Sequence, residues 1–136
     1  MKDNIRFLLV DDDADDRLLF TEAVKEIDEK IQCLLANSGV RALEMLKSNE
    51  GPLPDVIFLD LRMPRLSGKK CLQEIKNDER LKNIPVVIYT TSRNVEEAKE
   101  LREIGAFHFM SKPNNADEIY FLVSFALEEI AAAQNR

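Results

Sequence analysis

Five short apolar runs, each followed by a stretch with helical spacing, constrain this chain more than any other feature. The runs are Ile5–Val10, Ile31–Ala36, Val56–Asp60, Pro85–Tyr89 and Phe107–Ser111. Four of them are nearly solid with large apolar or β-branched residues, the pattern of strands covered on both faces. Between them, apolar residues recur at helical intervals. Leu19, Phe20, Ala23, Val24 and Ile27 make one stripe, and Ala42, Leu43, Met45 and Leu46 a second. Leu72, Ile75 and Lys76 continue the pattern in a third segment. Ala98, Leu101 and Ile104 mark a fourth, with Gly105 as its stop. The last, from about Ala116 to Ala133, carries Ile119, Leu122, Val123, Ala126, Leu127 and Ile130. Strand then helix, repeated five times, predicts an α/β domain: a doubly wound, five-stranded parallel sheet joined by right-handed crossover helices.

The 136 residues suit one hydrophobic core. No linker, internal repeat or shift of composition divides them. The expectation is a single domain over residues 1–136, with its core between about 5 and 130 and no output module. A formal net charge of −6 argues against direct nucleic-acid binding. The N-terminal apolar run ends in aspartates after six residues, too short for a signal peptide. No stretch approaches the roughly 20 apolar residues of a membrane span. The expected compartment is therefore the cytoplasm, with no membrane partner. Cys33 and Cys71 lie far apart among apolar neighbours, which predicts buried free thiols.

The acidic residues fall at informative places. Asp11 and Asp12 follow the first predicted strand, and Asp60 ends the third. In an open parallel sheet, ligands bind beyond the carboxyl ends of the strands where strand order reverses. With strand order 2-1-3-4-5, strands one and three flank that point, and the three carboxylates meet in one crevice. Carboxylates held together raise one another's pKa, and a divalent cation relieves the repulsion. An all-oxygen donor set suits Mg²⁺ better than zinc. Asp60, on the rigid end of a central strand, is the candidate nucleophile toward a phosphoryl group. Asp13 reads as a helix N-cap, and Asp15 and Asp16 as exposed first-turn acids complementing the helix dipole. Thr90 follows the fourth strand and offers a hydroxyl. Lys112 follows the fifth and offers an ammonium for carboxylate or phosphoryl oxygen. His108, the single histidine, reads as a strand residue rather than a ligand.

Taken together and in this order, these segments resemble the receiver domain of bacterial response regulators, across residues 5 to about 130. LLVDDD is similar to the family's first strand with its acidic metal-binding pair, here Asp11 and Asp12. FLDLRMPRLSG resembles the phosphoacceptor segment, here Asp60, with Met63, Pro64 and Gly68 in their usual places. VVIYTTS resembles the switch-hydroxyl segment, here Thr90, and FHFMSKP the lysine segment, here Lys112 before Pro113. The resemblance implies a flavodoxin-like fold with strand order 2-1-3-4-5 and five helices. It implies phosphoryl transfer from a partner's phosphohistidine onto Asp60. Mg²⁺ would be held by Asp11, Asp12, Asp60 and the backbone carbonyl of Arg62. Thr90 and Lys112 would then hold the acyl phosphate, Phe109 would swing inward with Thr90, and the Lys112–Pro113 peptide would be cis. The implied partners are a sensor histidine kinase or histidine phosphotransfer protein and a downstream protein target. The target would meet the face built from helix four, strand five and helix five. A narrower similarity links LLVDDDADDRLLF to stand-alone receivers serving histidine kinases, phytochrome-type ones included.

Two positions depart from the family's commonest pattern: Thr91 stands where alanine is frequent, and Phe109 where tyrosine is frequent. Two rival readings remain at this point. A Mg²⁺-dependent phosphohydrolase of the haloacid dehalogenase type also forms an aspartyl phosphate, but it wants an acid two residues after the nucleophile, where this chain has Arg62. A degenerate receiver would bind a partner without phosphorylation, which the intact set of Asp11, Asp12, Asp60, Thr90 and Lys112 argues against. The protein is otherwise expected to be no enzyme beyond its own phosphotransfer and autodephosphorylation.

Overall fold

The computed structural model describes residues 4–48 and 51–135. Strands and helices alternate throughout. They are β1 (Arg6–Val10), α1 (Ala14–Ile27), β2 (Gln32–Ala36), α2 (Gly39–Lys47), β3 (Val56–Leu59), α3 (Gly68–Lys76), β4 (Val86–Thr90), α4 (Val95–Ile104), β5 (His108–Ser111) and α5 (Ala116–Gln134). The strands form one sheet in the order β2-β1-β3-β4-β5, with every neighbouring pair parallel. The alternation of runs predicts the parallel sheet, and the family resemblance implies its flavodoxin-like order. Thr90, expected just beyond β4, is instead its last residue, because it pairs with Ser111 in the β4–β5 ladder.

Successive side chains of a strand point to opposite faces, and the sheet is covered on both. Phe7, Leu9, Phe58, Val87 and Tyr89 pack with Phe20 and Val24 of α1 and Ile119, Val123 and Ile130 of α5. Their neighbours Leu8, Val10, Ile57, Leu59, Val86 and Ile88 pack with α2, α3 and α4 through Leu46, Leu72, Ile75 and Leu101. The central strands β1, β3 and β4 are therefore buried almost throughout, which explains their solid apolar runs. The edge strands β2 and β5 are buried only in part. Cys33 sits on edge strand β2 and is half-buried rather than buried, whereas Cys71 on α3 is buried; both are free thiols.

Each helix begins with the same device. Asp13, Ser38, Ser67, Asn94 and Asn115 each accept a hydrogen bond from the N–H three residues on. A cap of this kind stabilises a helix by typically about 1 kcal/mol. It also fixes where each chain segment turns, so that five βα loops gather at the carboxyl edge of the sheet. Gly105 closes α4 with φ 131°, a backbone region that favours glycine.

Candidate functional site at the carboxyl edge of the sheet

Register places the acids. Val10 pairs with Leu59 across β1 and β3, so Asp11 and Asp60 leave the sheet side by side. The ladder continues one step beyond, where the Asp60 N–H donates to the Val10 carbonyl at 3.0 Å and the Asp11 N–H to the Ala36 carbonyl at 3.0 Å. On the other flank the Lys112 N–H donates to the Thr90 carbonyl at 2.7 Å. The side chains follow their backbones into one crevice. Carboxylate oxygens of Asp11, Asp12 and Asp60 all lie within 4.8 Å of one another, with Asp11 and Asp60 buried and Asp12 exposed. Three hard anionic oxygens at this separation suit a hard divalent cation, so the donor set fits the metal that the sequence implies.

Lys112 is the hub. Its Nζ lies 2.7 Å from Asp11 Oδ2, 2.9 Å from Asp16 Oδ2 and 3.2 Å from Asp60 Oδ2. It also stands over the buried Tyr89 ring, 5.7 Å from the centroid. The Asp11 contact is an ion pair held by proximity rather than a well-directed hydrogen bond, since Oδ2 finds no donor at good angles. The other Asp11 oxygen, Oδ1, accepts from the Asp13 N–H at 3.0 Å. Burial is the largest influence on Asp11 and raises its pKa above 3.8, outweighing the lowering by Lys112 and the Asp13 N–H. Repulsion from Asp60 adds only a minor increment, so desolvation, rather than the mutual repulsion expected from sequence, dominates at this carboxylate. Burial also acts to lower the pKa of Lys112, but its close contacts with Asp11 and Asp16 and the surrounding negative charge overcome this. The net effect holds the ammonium well above its ordinary 10.5.

The remaining predicted residues take distinct places. Thr90 is fully buried and its Oγ1 accepts from the Ser92 N–H at 3.4 Å. Arg62 is exposed beside the crevice, its N–H directed at Asp60 Oδ1 at 3.3 Å. Phe109 is half-buried against the α2–α3–α4 layer and lines a groove with α4, away from the carboxylates. His108 is on β5 with its ring stacked near Phe125 at 5.7 Å, and it holds no acid or thiol cluster. The Lys112–Pro113 peptide corrects the expectation: no cis bond occurs among the described residues. The trans form is intrinsically favoured by about 0.5–1 kcal/mol before proline. Lys112 makes all its contacts to Thr90, Asp11, Asp16 and Asp60 in that form.

Two residues do more at the site than the sequence reading assigned to them. Gly68 is needed for space: a Cβ there would lie 2.4 Å from the Asp60 carbonyl oxygen and 2.6 Å from Leu61 Cα. Its N–H also donates to the Leu61 carbonyl at 3.1 Å, so α3 is braced directly on the backbone that presents Asp60. Asp16 lies in the first turn as expected and its side chain is partly exposed, but it also reaches Lys112. The signal available in sequence was an aspartate at the third helical position behind an aspartate cap.

A strand-end crevice with these groups on a 2-1-3-4-5 sheet defines a phosphorylatable receiver class, and the family comparison agrees. The model of the response regulator receiver domain matches residues 7–124, so the chain belongs to that family. Receiver domains of this family act in two-component signalling. Response regulator Rcp1 of Synechocystis sp. is 31% identical over 131 residues, covering 90% of this chain and 89% of Rcp1. The regulatory protein AtoC of Escherichia coli is 34% identical over 123 residues, 90% of this chain but only 25% of AtoC. Among solved structures, the phosphorylated cyanobacterial phytochrome response regulator RcpA superposes with a TM-score of 0.85 at 27% identity, covering 96% of both chains. The Mn²⁺-bound form of Rcp1 gives 0.78 at 30% identity over 88% of both chains.

Proposed function

We propose that this chain is a phosphorylation-dependent switch whose residues 1–136 act as a single receiver domain in the cytoplasm, with Asp60 as phosphoacceptor. The observation that carries this reading is the convergence of buried Asp11, Asp60 and Lys112 beside Thr90 at the carboxyl edge. A carboxylate oxygen of Asp60 attacks the phosphorus of a phosphohistidine on a sensor histidine kinase or a histidine phosphotransfer protein. A phosphorus–oxygen bond forms as the phosphorus–nitrogen bond breaks, and the imidazole keeps the electron pair. Asp11, Asp12 and Asp60, with the Arg62 backbone carbonyl, would hold Mg²⁺, which when bound neutralises charge on the phosphoryl oxygens. Lys112 and the Thr90 hydroxyl donate to those oxygens once the acyl phosphate has formed. The protein catalyses nothing beyond this transfer and the later loss of its own phosphoryl group.

The signal leaves through the α4–β5–α5 face to a downstream protein target. Phe109 and Ser111 of β5 line a groove there with Val95, Ala98 and Arg102 of α4, while Phe125 of α5, its ring beside His108, is largely exposed. An exposed aromatic side chain near a groove that also carries Arg93, Lys99 and Arg102 fits a protein partner better than water alone. The test is incubation with acetyl phosphate and Mg²⁺. The parent should gain one base-labile phosphoryl group, and Asp60→Asn should gain none; undiminished labelling of Asp60→Asn would overturn the assignment.

A further inference from the structure

We infer that Asp16 is a positioning residue that competes with the phosphoryl group for Lys112, and so sets how readily Asp60 is phosphorylated. The inference rests on the phosphoacceptor reading above. In a capping box the side chain at the third helical position, usually Glu or Gln, turns back to accept the N–H of the cap residue. Here that N–H, on Asp13, is already taken by Asp11 Oδ1 at 3.0 Å. The Asp16 carboxylate is thereby released from its helix and turns to Lys112 Nζ at 2.9 Å, across 96 residues of sequence.

An ammonium has three donors and no more. Asp16 and Asp60 each accept a hydrogen bond from it and Asp11 faces it as an ion pair, and the ammonium stands nearer Asp11 and Asp16 than Asp60, at 2.7 and 2.9 Å against 3.2 Å. A phosphoryl oxygen arriving on Asp60 must therefore win the ammonium from a carboxylate. Asp11 is fully buried, and water cannot replace the ammonium beside it. The Asp16 side chain is 40% exposed and water can solvate it as it lets go. Asp16 is thus the group that yields. Until it does, it withholds the cation and adds negative charge next to the incoming anion.

The competition has a signature that a purely structural ion pair would not give. A structural role predicts that removing the charge weakens the site; competition predicts that the site improves. Beryllofluoride affinity and the rate of acetyl-phosphate labelling are measured at fixed Mg²⁺ on the full chain. The variants are Asp16→Asn, Asp16→Glu and Asp15→Asn, the last removing an exposed neighbouring charge that has no contact with Lys112. Asp16→Asn should raise both quantities about tenfold, equivalent to about 1.4 kcal/mol. Asp16→Glu should stay near the parent, and Asp15→Asn should change them by less than about twofold, since an exposed charge is screened. A parent that labels normally while folded Asp16→Asn labels at the same rate or slower would overturn the role of Asp16 alone. An equal gain from Asp15→Asn would overturn it too, by reducing the effect to net charge. A parent that does not label at all would overturn the phosphoacceptor reading and this inference with it.

Discussion

At the scale of single residues, position at the end of a strand decides most of the site. Asp11, Asp12, Asp60, Thr90 and Lys112 were legible because each lies within two residues of the end of an apolar run, where a parallel sheet opens to ligands. Asp16 was read only in part because its local context, a first-turn acid behind an aspartate cap, is fully accounted for by the helix dipole. Its pairing with Lys112 depends on the Asp13 N–H being already occupied. Gly68 was legible by resemblance, but not the reason for it. Alanine at a helical position is worth about 1 kcal/mol over glycine, yet the Cβ would sit 2.4 Å from the Asp60 carbonyl. Overpacking of this kind costs typically about 1–3 kcal/mol and here displaces the phosphoacceptor's own backbone. Gly68→Ala should therefore lower the unfolding midpoint and slow acetyl-phosphate labelling together. A variant as stable and as reactive as the parent would show that α3 does not brace the site. At Arg62, a long cation beside the crevice can cover the acyl phosphate against water. Arg62→Asn should accelerate autodephosphorylation, measured as loss of label after the donor is removed, and an unchanged or slower loss would refute that covering role.

At the scale of elements, the five strands and the span of α5 could be located within a residue or two from apolar spacing alone, the stripes of α2 to α4 began three or four residues inside the helices, and Gly105 stopped α4 where expected. The caps of α2 to α5 were not read in advance, since Ser and Asn are also ordinary loop residues; only their N–H partners distinguish them. The trans Lys112–Pro113 bond was likewise beyond local sequence. The β4–α4 loop is tied together by hydrogen bonds that meet at Ser92. Its N–H donates to Thr90 Oγ1 at 3.4 Å, and its hydroxyl to Glu97 Oε1 at 2.8 Å. The Ser111 hydroxyl donates to the Ser92 carbonyl at 3.3 Å. Under the proposed switch, rotation of Thr90 toward a phosphoryl group would break the first of these and open space under β5. Phe109 would fill that space without stranding a hydroxyl, whose burial unpaired would cost roughly 1–3 kcal/mol. A ligand shifts an equilibrium only by its differential affinity for the two states. The parent should therefore bind its target more strongly than Phe109→Tyr without beryllofluoride, and gain less on adding it. Equal basal binding would remove Phe109 from the switch.

At the scale of the whole molecule, two linked equilibria follow from the buried charges. A cation held by Asp11, Asp12 and Asp60 stabilises the fold by about 1.4 kcal/mol at ten times its dissociation constant. Mg²⁺ should raise the melting temperature by a few degrees, and Asp12→Ala should remove most of the gain. Indifference of the parent to Mg²⁺ would count against the cluster. The second equilibrium concerns alkali. Burial pushes Cys33 up to about 11 and Cys71 up to about 12 from 9.0, and Tyr89 above its usual 10.0. Contacts with its carboxylates hold Lys112 above 10.5. In each case the unfolded chain loses the proton first, so stability is fully present below about pH 9 and falls as pH rises through the folded values. Each group contributes a slope of up to about 1.4 kcal/mol per pH unit. Urea midpoints should be flat from pH 7 to 8 and fall beyond 9, and a flat alkaline limb would contradict the burial. The central claim is tested most directly by locating the modified residue itself. The Mg²⁺-loaded parent is treated with acetyl phosphate, reduced with borohydride so that an aspartyl phosphate becomes homoserine, and sequenced by tandem mass spectrometry. Homoserine at position 60 alone is the expected result; homoserine at another aspartate, or at none, would contradict it.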